Sequence, residues 1–215
     1  AQSTLQCPHG INTVYCGAYD SVAWGIGEDL FTWRWKDGGG INYEAGQLAE
    51  SYTLSDDLST LSVKIRSGVT FHKGYGTMTA DDVVHSYNKT NPMITPHSIA
   101  PSAANFASLF GKNPAVADGS NVNFVFENFD VAWVNNLMNT GGFVGVVIHS
   151  KKAFDENDET WAKENVVATG PYEVESWVRD DTAVFNAWDG HWEFPAPQAR
   201  KVIVKAVPQN EVRIA

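Results

Sequence analysis

Alternation of apolar and polar residues dominates several stretches of the chain, and this period of two is typical of β-strands. The apolar faces of the two clearest stretches consist of Leu61, Val63 and Ile65, and of Val122, Phe124 and Phe126. The turn-like segment SDDLS predicts that residues 52–54 and 61–65 pair as a hairpin. A second hairpin is predicted in TGPYEVESWVRDDTAVFNAW, with RDD as its turn, and a last strand in RKVIVKAVP.

Helical spacing is clearest after Thr79. Asp82 follows Thr79 by three residues, which is typical of a capping box, and acidic groups in a first turn favour the helix dipole. Val83, Val84 and Tyr87 then form an apolar face. The segment TADDVVHSYNKT is therefore predicted to be a capped helix that follows a strand and a glycine-spaced turn.

Two further apolar stretches complete the predicted elements. Val22, Ile26 and Leu30 have helical spacing and predict a short helix that Gly25 and Gly27 interrupt. The segment GFVGVVIHSKKAF is apolar over the length of a strand and predicts a buried strand. Because strands outnumber helices, the chain is predicted to have an α/β fold of mixed α+β character.

Composition excludes several classes of protein. The chain has 215 residues, a hydrophobic share of 43% and a net charge of −10. This balance supports a buried core and argues against nucleic acid, which requires clustered Lys and Arg, and against an anionic membrane surface. No apolar run approaches the roughly 20 residues of a membrane helix. The opening AQST fits an exported chain whose signal peptide has been removed, or a cytosolic chain without its Met.

Cys7 and Cys16 are the only cysteines. In an oxidising compartment they are a possible disulfide, and otherwise they are small buried residues of one strand and its approach. A structural zinc site needs four Cys or His ligands in close pairs, whereas the six histidines are scattered. The sequence therefore predicts neither a metal site nor a cofactor.

Asp81, Asp82, His72 and His85 form the most conspicuous group of possible catalytic residues. Adjacent residues of a helix point about 100° apart, so the two aspartates are not placed to share a proton as a catalytic dyad does. Helix capping explains them without chemistry, and no nucleophile motif or phosphate-binding loop stands elsewhere. No catalytic residue is predicted.

Eight tryptophans are a large number for this length. Most of them lie at predicted strand positions, where an aromatic ring packs in the core. Trp24 differs, because it follows the first predicted strand, INTVYCGAYD, in a glycine-flanked segment. That is where α/β folds bind ligands. The residues by themselves therefore favour a binding protein over an enzyme.

Two blocks of the chain resemble one known family. The first block contains LAE at 48–50, SDD at 55–57, RSGVTFH at 66–72 and TADDVV at 79–84, and the second contains ATGPYEVESW, NAWDGHW and ARKVIVKAVPQNEVRIA. Their order and spacing are similar to those of the extracytoplasmic solute-binding proteins of the peptide/nickel type, which deliver ligands to ABC importers. The chain departs from the family pattern at Ala168, where glycine is usual, and at Tyr52, where tryptophan is common.

The resemblance implies the first lobe of a type II-like (cluster C) periplasmic-binding-protein fold with an inserted β-rich subdomain. Residues 1–43 and 166–215 are expected to form the discontinuous core of this lobe, and residues 44–165 the inserted subdomain. Family members are longer and trap their ligand between two lobes joined by a hinge. The second lobe is therefore expected to be absent from this chain.

The resemblance also implies a function. The chain is expected to be the substrate-binding component of an ABC importer outside the cytoplasm, capturing a peptide or a similar polar oligomeric solute and delivering it to the permease subunits. The loop after the first strand is expected to bind this ligand through Tyr19, Asp20, Ser21, Val22, Ala23 and Trp24. The alternatives are an oligosaccharide receptor of the same family, a half-length binding or scaffold protein, and a carboxylate-based hydrolase.

Overall fold

The structure is a computed structural model that describes residues 25–96, 98, 100, 103–133, 146–158, 160–161, 165–178, 181–195 and 197–205, with the backbone alone at 33 and 41–45. The strands of this part of the chain are β1 (Phe31–Trp35), β2 (Ile41–Gly46), β3 (Ala49–Leu54), β4 (Thr60–Ile65), β5 (Val116–Asp118), β6 (Asn121–Val125), β7 (Tyr172–Val178), β8 (Thr182–Ala187) and β9 (Lys201–Lys205). Its α-helices are α1 (Ala80–Thr90), α2 (Ala103–Phe110) and α3 (Lys151–Glu156).

The described strands form antiparallel sheets. β1 pairs with β2, a four-stranded sheet has the order β3-β4-β6-β5, and a three-stranded sheet has the order β7-β8-β9. Tyr52 lies opposite Val63 and Leu54 opposite Leu61, which confirms the first predicted hairpin. The pairing of β7 with β8 confirms the second, and β9 confirms the last predicted strand. Together with the helices, these sheets give the predicted mixed α+β class.

The larger hydrophobic core lies between the four-stranded sheet and helices α1 and α2. Alternation buries one face of β4 and β6, where Leu61, Val63 and Val122 have no exposed surface. The ring of Tyr87 in α1 packs edge-on against Phe124 of β6, with 4.9 Å between the ring centroids. The same period of two that predicts these strands therefore also selects the residues of the core.

Helix α1 begins at the predicted capping box. The backbone N–H and the hydroxyl of Thr79 both donate to Asp82 Oδ2, each at 2.8 Å. Asp82 Oδ1 accepts a further hydrogen bond from the N–H of Lys151, at 2.7 Å. Asp82 therefore satisfies backbone donors at the starts of α1 and α3 together, and the helix-capping explanation of this aspartate is confirmed.

A smaller hydrophobic cluster lies under the three-stranded sheet. Its buried members are Ile26, Val147, Val166, Ala168, Ala183 and Phe185. Val202 and Val204 of β9 pack against it as half-buried residues. This cluster brings the segments around 26, 147 and 166–168 together on one face of the sheet.

Two sequence predictions were wrong in part. Residues 25–30 are not helical, because their carbonyl groups accept hydrogen bonds from other segments rather than from the next turn. In the predicted buried strand GFVGVVIHSKKAF, residues 146–150 are buried but form no strand, and α3 begins at Lys151. Ser150 caps this helix by accepting from the N–H of Ala153 at 3.2 Å. The first predicted strand, INTVYCGAYD, lies outside the described residues. No helix in the described part of the chain is long and apolar enough to cross a membrane.

Candidate functional site at Glu28

The residues predicted to bind ligand, 19–24, lie outside the described part of the chain, as do Cys7 and Cys16. The described chain begins at Gly25, which directly follows the predicted ligand loop in sequence. Residues 25–28 are the first described residues after the predicted ligand-binding residues, and Ile26 is a buried member of the small hydrophobic cluster.

The backbone of this segment is held by neighbouring segments. The carbonyl of Gly25 accepts from the N–H of Tyr172, that of Ile26 from Gly170, and that of Glu28 from Ile148, each at 3.0 Å. None of these donors lies in residues 25–28 itself, so the position of the segment depends on the segments at 148 and 170–172.

Two glycines permit this close packing. A Cβ atom on Gly170 would lie 2.7 Å from both carbonyl atoms of Ile26, and one on Gly27 would lie 2.8 Å from Cγ2 of Val147. Ordinary van der Waals separations are longer, at about 3.5–4.0 Å between carbon atoms. The absence of a side chain at these two positions is therefore a requirement of the packing.

The carboxylate of Glu28 is the centre of a buried hydrogen-bond network that we call the Glu28 hub. Oε2 accepts from the hydroxyl of Thr169 at 2.7 Å and from the indole N–H of Trp192 at 3.0 Å. Oε1 lies 3.2 Å from the donating Nε2 of Gln47 and 3.3 Å from Nε2 of His191. Glu28 itself is only 3% exposed.

The tautomer of His191 follows from its partners. The backbone N–H groups of Glu193 and Phe194 both point at Nδ1, at 3.3 and 3.0 Å, so Nδ1 is an acceptor and carries no proton. The proton of the neutral ring is then on Nε2, which donates to Glu28. The contact is therefore a hydrogen bond from a neutral imidazole to a carboxylate.

Two arginines surround the hub. Arg34 pairs with Glu193 at 2.7 Å, and the hydrogen bond to Glu193 raises the pKa of this guanidinium, with a smaller contribution from the charge of Glu28. The guanidinium of Arg66 lies over the ring of Trp192, 4.4 Å from its centroid, and its Nε donates to the carbonyl of Gln47 at 3.0 Å. Both arginines place positive charge near the hub, and Arg66 also contacts Trp192 and Gln47, two of the residues that donate to Glu28.

The Glu28 hub has the chemistry of a support. A general base or nucleophile needs a free lone pair that faces substrate, whereas the oxygens of Glu28 accept four hydrogen bonds from the protein. Sequence reasoning missed this site. The partners of Glu28 are 19 to 164 residues away in sequence, so no spacing reveals them.

His72, one of the possible catalytic residues, is a structural contact to the same region. Its side chain is buried, and Nε2 lies 2.8 Å from the carbonyl oxygen of Gly170. Its backbone N–H donates to the carbonyl of Ala168 at 2.9 Å. Burial lowers the pKa of His72 to about 4. His72 is thus a neutral donor that joins the corner before α1 to the strand-like segment that holds residues 25–28.

The aspartates of that corner border an open pocket of about 490 Å³, whose lining includes Tyr75, Asp81 and Asp82. Its four other charged side chains pair with each other, Lys151 with Asp155 and Lys152 with Glu156. Within the described residues no group of His, Cys, Asp and Glu is arranged to hold a metal ion. The corner therefore offers neither a carboxylate–histidine pair nor a metal centre.

Half-buried His85 and buried His149 lie where α1 meets α3. His85 and His149 both pack against Phe154, with ring centroids 4.8 and 6.1 Å away. Burial lowers the pKa of His85 to about 4 and that of His149 to about 3. The N–H of His149 donates to Ser86 Oγ at 3.0 Å, which ties its backbone to α1.

Because the pKa values of these three histidines are lowered, we expect acid to destabilise the fold. His72, His85 and His149 have pKa values below the ordinary 6.5, so between pH 6.5 and 4 the unfolded chain binds protons that the folded chain does not. Their stabilising contribution is complete above pH 6.5 and is lost as the pH falls, by at most about 1.4 kcal/mol per pH unit for each histidine. We expect urea unfolding at pH 7.5, 6.0, 5.0 and 4.5 to show this fall, and His149→Gln to reduce the slope. A free energy of unfolding that is constant over this range would contradict the assignment.

Comparisons with known proteins identify the family to which this chain is similar. The family model described as bacterial extracellular solute-binding proteins, family 5 Middle, matches residues 45–215. The dipeptide-binding protein of Escherichia coli K12 is 25% identical over 183 residues, which cover 78% of this chain and 33% of that protein. The glutathione-binding protein GsiB of Shigella boydii is 28% identical over 175 residues, with 78% and 31% covered. The chain thus spans about a third of the length of these relatives.

The fold agrees with this match. A dipeptide-binding protein of Pseudoalteromonas sp. SM9913, solved in complex with Met-Leu, superposes with a TM-score of 0.76 at 19% identity, over 100% of this chain and 43% of that one. At this identity the likeness establishes the fold alone, and it confirms the predicted periplasmic-binding-protein architecture. The chain belongs to family 5 of the bacterial extracellular solute-binding proteins.

Proposed function

We propose that this chain is the ligand-capturing first lobe, with its inserted subdomain, of the substrate-binding component of an ABC importer. The family match over residues 45–215 carries the proposal, and relatives named for dipeptide and glutathione binding favour a peptide or a similar polar oligomeric solute. Capture would occur outside the cytoplasm, with closure of two lobes on the ligand before delivery to the permease.

We assign residues 1–43 and 166–215 to the core of the lobe and residues 44–165 to the inserted subdomain. The two hydrophobic clusters support this division. Of the buried residues in the smaller cluster, Val147 alone comes from residues 44–165. The buried residues of the larger cluster come mainly from residues 44–165, and the other unit contributes Leu30, Phe31 and Val167.

We assign ligand contact to Tyr19, Asp20, Ser21, Val22, Ala23 and Trp24. In this assignment an extended peptide pairs with the loop backbone as an added strand, and Tyr19 and Trp24 form the walls of a side-chain pocket. The assignment rests on the family resemblance and on the position of these residues after the first predicted strand.

Replacing Trp24 with alanine is expected to weaken peptide binding about tenfold, because aromatic anchors supply a large share of binding energy. Isothermal titration with Met-Leu and with glutathione measures the effect. Since the ligand would contact one lobe only, we expect weak binding by the unaltered chain, with a Kd on the order of 0.1–1 mM. Trp35→Ala is the matched control, because Trp35 is 71% exposed at the end of β1.

The same titration, extended to maltotriose, separates the alternative functions. Binding of maltotriose in preference to the peptides would favour an oligosaccharide receptor. Hydrolysis of a ligand without stoichiometric binding would contradict the receptor assignment and favour an enzyme. Failure to bind any of these solutes would favour a binding or scaffold protein without a transport role.

A further inference from the structure

Aspartate precedes glycine at three places in the chain, at 37–38, 118–119 and 189–190. An aspartate in this position is prone to spontaneous isomerisation, because the amide nitrogen of the following glycine can attack the side-chain carboxyl without a Cβ atom in the way. The local sequence is therefore equally permissive at all three places. Any difference in rate between them must come from the fold.

The reaction passes through a cyclic imide and consumes nothing but water. The glycine nitrogen forms a bond to Cγ of the aspartate, and the hydroxyl of the protonated carboxyl leaves with the amide proton as one water molecule. A second water molecule then opens the ring. Attack at the side-chain carbonyl restores aspartate, whereas attack at the α-carbonyl gives isoaspartate, in which the backbone runs through the side chain. The mass is unchanged, and the backbone gains one methylene group.

Asp37 and Gly38 lie in the loop that joins β1 to β2. Both residues are exposed, and within the described part of the chain no hydrogen bond or ion pair holds the carboxylate of Asp37. The loop is closed by backbone bonds from Lys36 to the carbonyl of Gly40 and from Gly39 to the carbonyl of Lys36, each at 3.0 Å. Neither bond uses the amide nitrogen of Gly38 or the side chain of Asp37, the two groups that must meet.

The same loop has space for the imide ring. Gly38, Gly39 and Gly40 all have positive φ, at 89°, 101° and 91°. A Cβ atom on any of the three would have no atom of a distant described residue within 4 Å. A loop of three exposed glycines can therefore rotate about Asp37 without displacing packed side chains.

Asp118 is held by strand pairing. It is the last residue of β5 and pairs with Asn121 of β6 across a turn of two residues. The second of these, Ser120, accepts from the N–H of Ile65 at 3.0 Å. Turning the amide nitrogen of Gly119 towards Cγ of Asp118 rotates the backbone out of this arrangement, so ring closure here first requires the hairpin to open locally.

Asp189 is held by its side chain. Its Oδ1 accepts from Arg200 at 2.7 Å, and this hydrogen bond lowers the pKa of the carboxyl, although ring closure needs the protonated form. The next residue, Gly190, accepts from the hydroxyl of Thr70 at 3.3 Å. Both partners of the ring closure are thus engaged elsewhere.

We propose that Asp37 is a site of spontaneous isomerisation to isoaspartate in the folded protein, and that strand pairing at Asp118 and the bond to Arg200 at Asp189 protect the other two aspartates. The inference goes beyond the proposed function and does not depend on it. Isoaspartate lengthens the backbone of the loop by one methylene group, and we expect this to break the bonds that close the loop at Lys36.

Peptide mapping of the aged chain tests the inference. The whole chain is kept at pH 7 and 37 °C, digested, and analysed by electron-transfer dissociation, whose fragments distinguish isoaspartate from aspartate at each position. Isoaspartate is expected to form at Asp37 about tenfold faster than at Asp118 and Asp189, which cyclise only from locally opened states. Incubation in guanidinium chloride is the control, and it should bring the three rates together. Arg200→Gln should raise the rate at Asp189 alone, whereas Gly38→Ala should lower the rate at Asp37.

The unfolded chain separates the effect of the fold from that of the sequence. Faster reaction at Asp37 in the folded chain, with similar rates at all three sites in denaturant, supports the inference. Equal rates in the folded chain, or the same ranking with and without denaturant, would overturn it. An unchanged rate at Asp189 in Arg200→Gln would overturn the protective role of Arg200, and an unchanged rate at Asp37 in Gly38→Ala would contradict the imide route.

Discussion

Glu28→Ala is expected to lower the free energy of unfolding by about 3–5 kcal/mol. The substitution leaves the donors of Thr169, Trp192, Gln47 and His191 without their acceptor in a buried site. Each unsatisfied buried donor costs about 1–3 kcal/mol, less where water enters the space. Chemical unfolding at pH 7.5, followed by circular dichroism, measures the change.

Glu50→Ala is the matched control for this substitution. Glu50 pairs with Lys64 at 3.1 Å on the exposed surface of β3, where a salt bridge contributes little. We expect its effect to stay within about 0.5 kcal/mol. Equal losses for Glu28→Ala and Glu50→Ala would contradict the assignment of Glu28 as the centre of a buried network.

Gly170→Ala is expected to cost at least about 3 kcal/mol, because the new Cβ meets backbone rather than a movable side chain. The atoms that it meets are the carbonyl oxygen of Gly25 and the carbonyl group of Ile26. The hydrogen bond from the N–H of Gly170 to the carbonyl of Ile26 must lengthen to relieve the overlap. A fall of roughly 10 °C in the thermal midpoint is the corresponding observation.

Gly27→Ala is the control for Gly170→Ala. It introduces the same side chain, but the new Cβ clashes with a side chain instead of the backbone. The three atoms nearest to its Cβ all belong to the side chain of Val147. Val147→Ala in the same chain should therefore recover part of the stability lost in Gly27→Ala, and none of that lost in Gly170→Ala. Rescue of Gly170→Ala by Val147→Ala would contradict the backbone contact as the source of its effect, and a failure to rescue Gly27→Ala would contradict the side-chain contact with Val147.

Local patterns predicted the parts of the fold that local physics determines. Alternation placed Leu61, Val63 and Val122 in the core, and the spacing of Thr79 and Asp82 predicted the start of α1. Both patterns involve residues only a few positions apart, so they can be recognised in a single sequence. The family motifs added the architecture, since the corner around His72 and the segment around Gly170 are parts of the matched region.

The candidate site depended on contacts that no local pattern encodes. Helical spacing at Ile26 and Leu30 predicted a helix, and the structure instead shows an irregular segment. Its carbonyls at Gly25, Ile26 and Glu28 bond to residues more than a hundred positions away. The donors to Glu28 likewise meet only after the chain folds. Asp82 illustrates the same limit, because its cap on α1 was predicted and its bond to Lys151 was not.

A titration of the isotope-labelled chain with Met-Leu, followed by amide NMR, tests the central claim most directly. The account predicts saturable shifts in the amide resonances of residues 19–28 and in the indole resonance of Trp24, with the resonances of residues 79–82 and 150–156 unchanged. Shifts confined to the pocket beside Asp81 and Lys151, with none at residues 19–28, would contradict the assignment of peptide contact to residues 19–24.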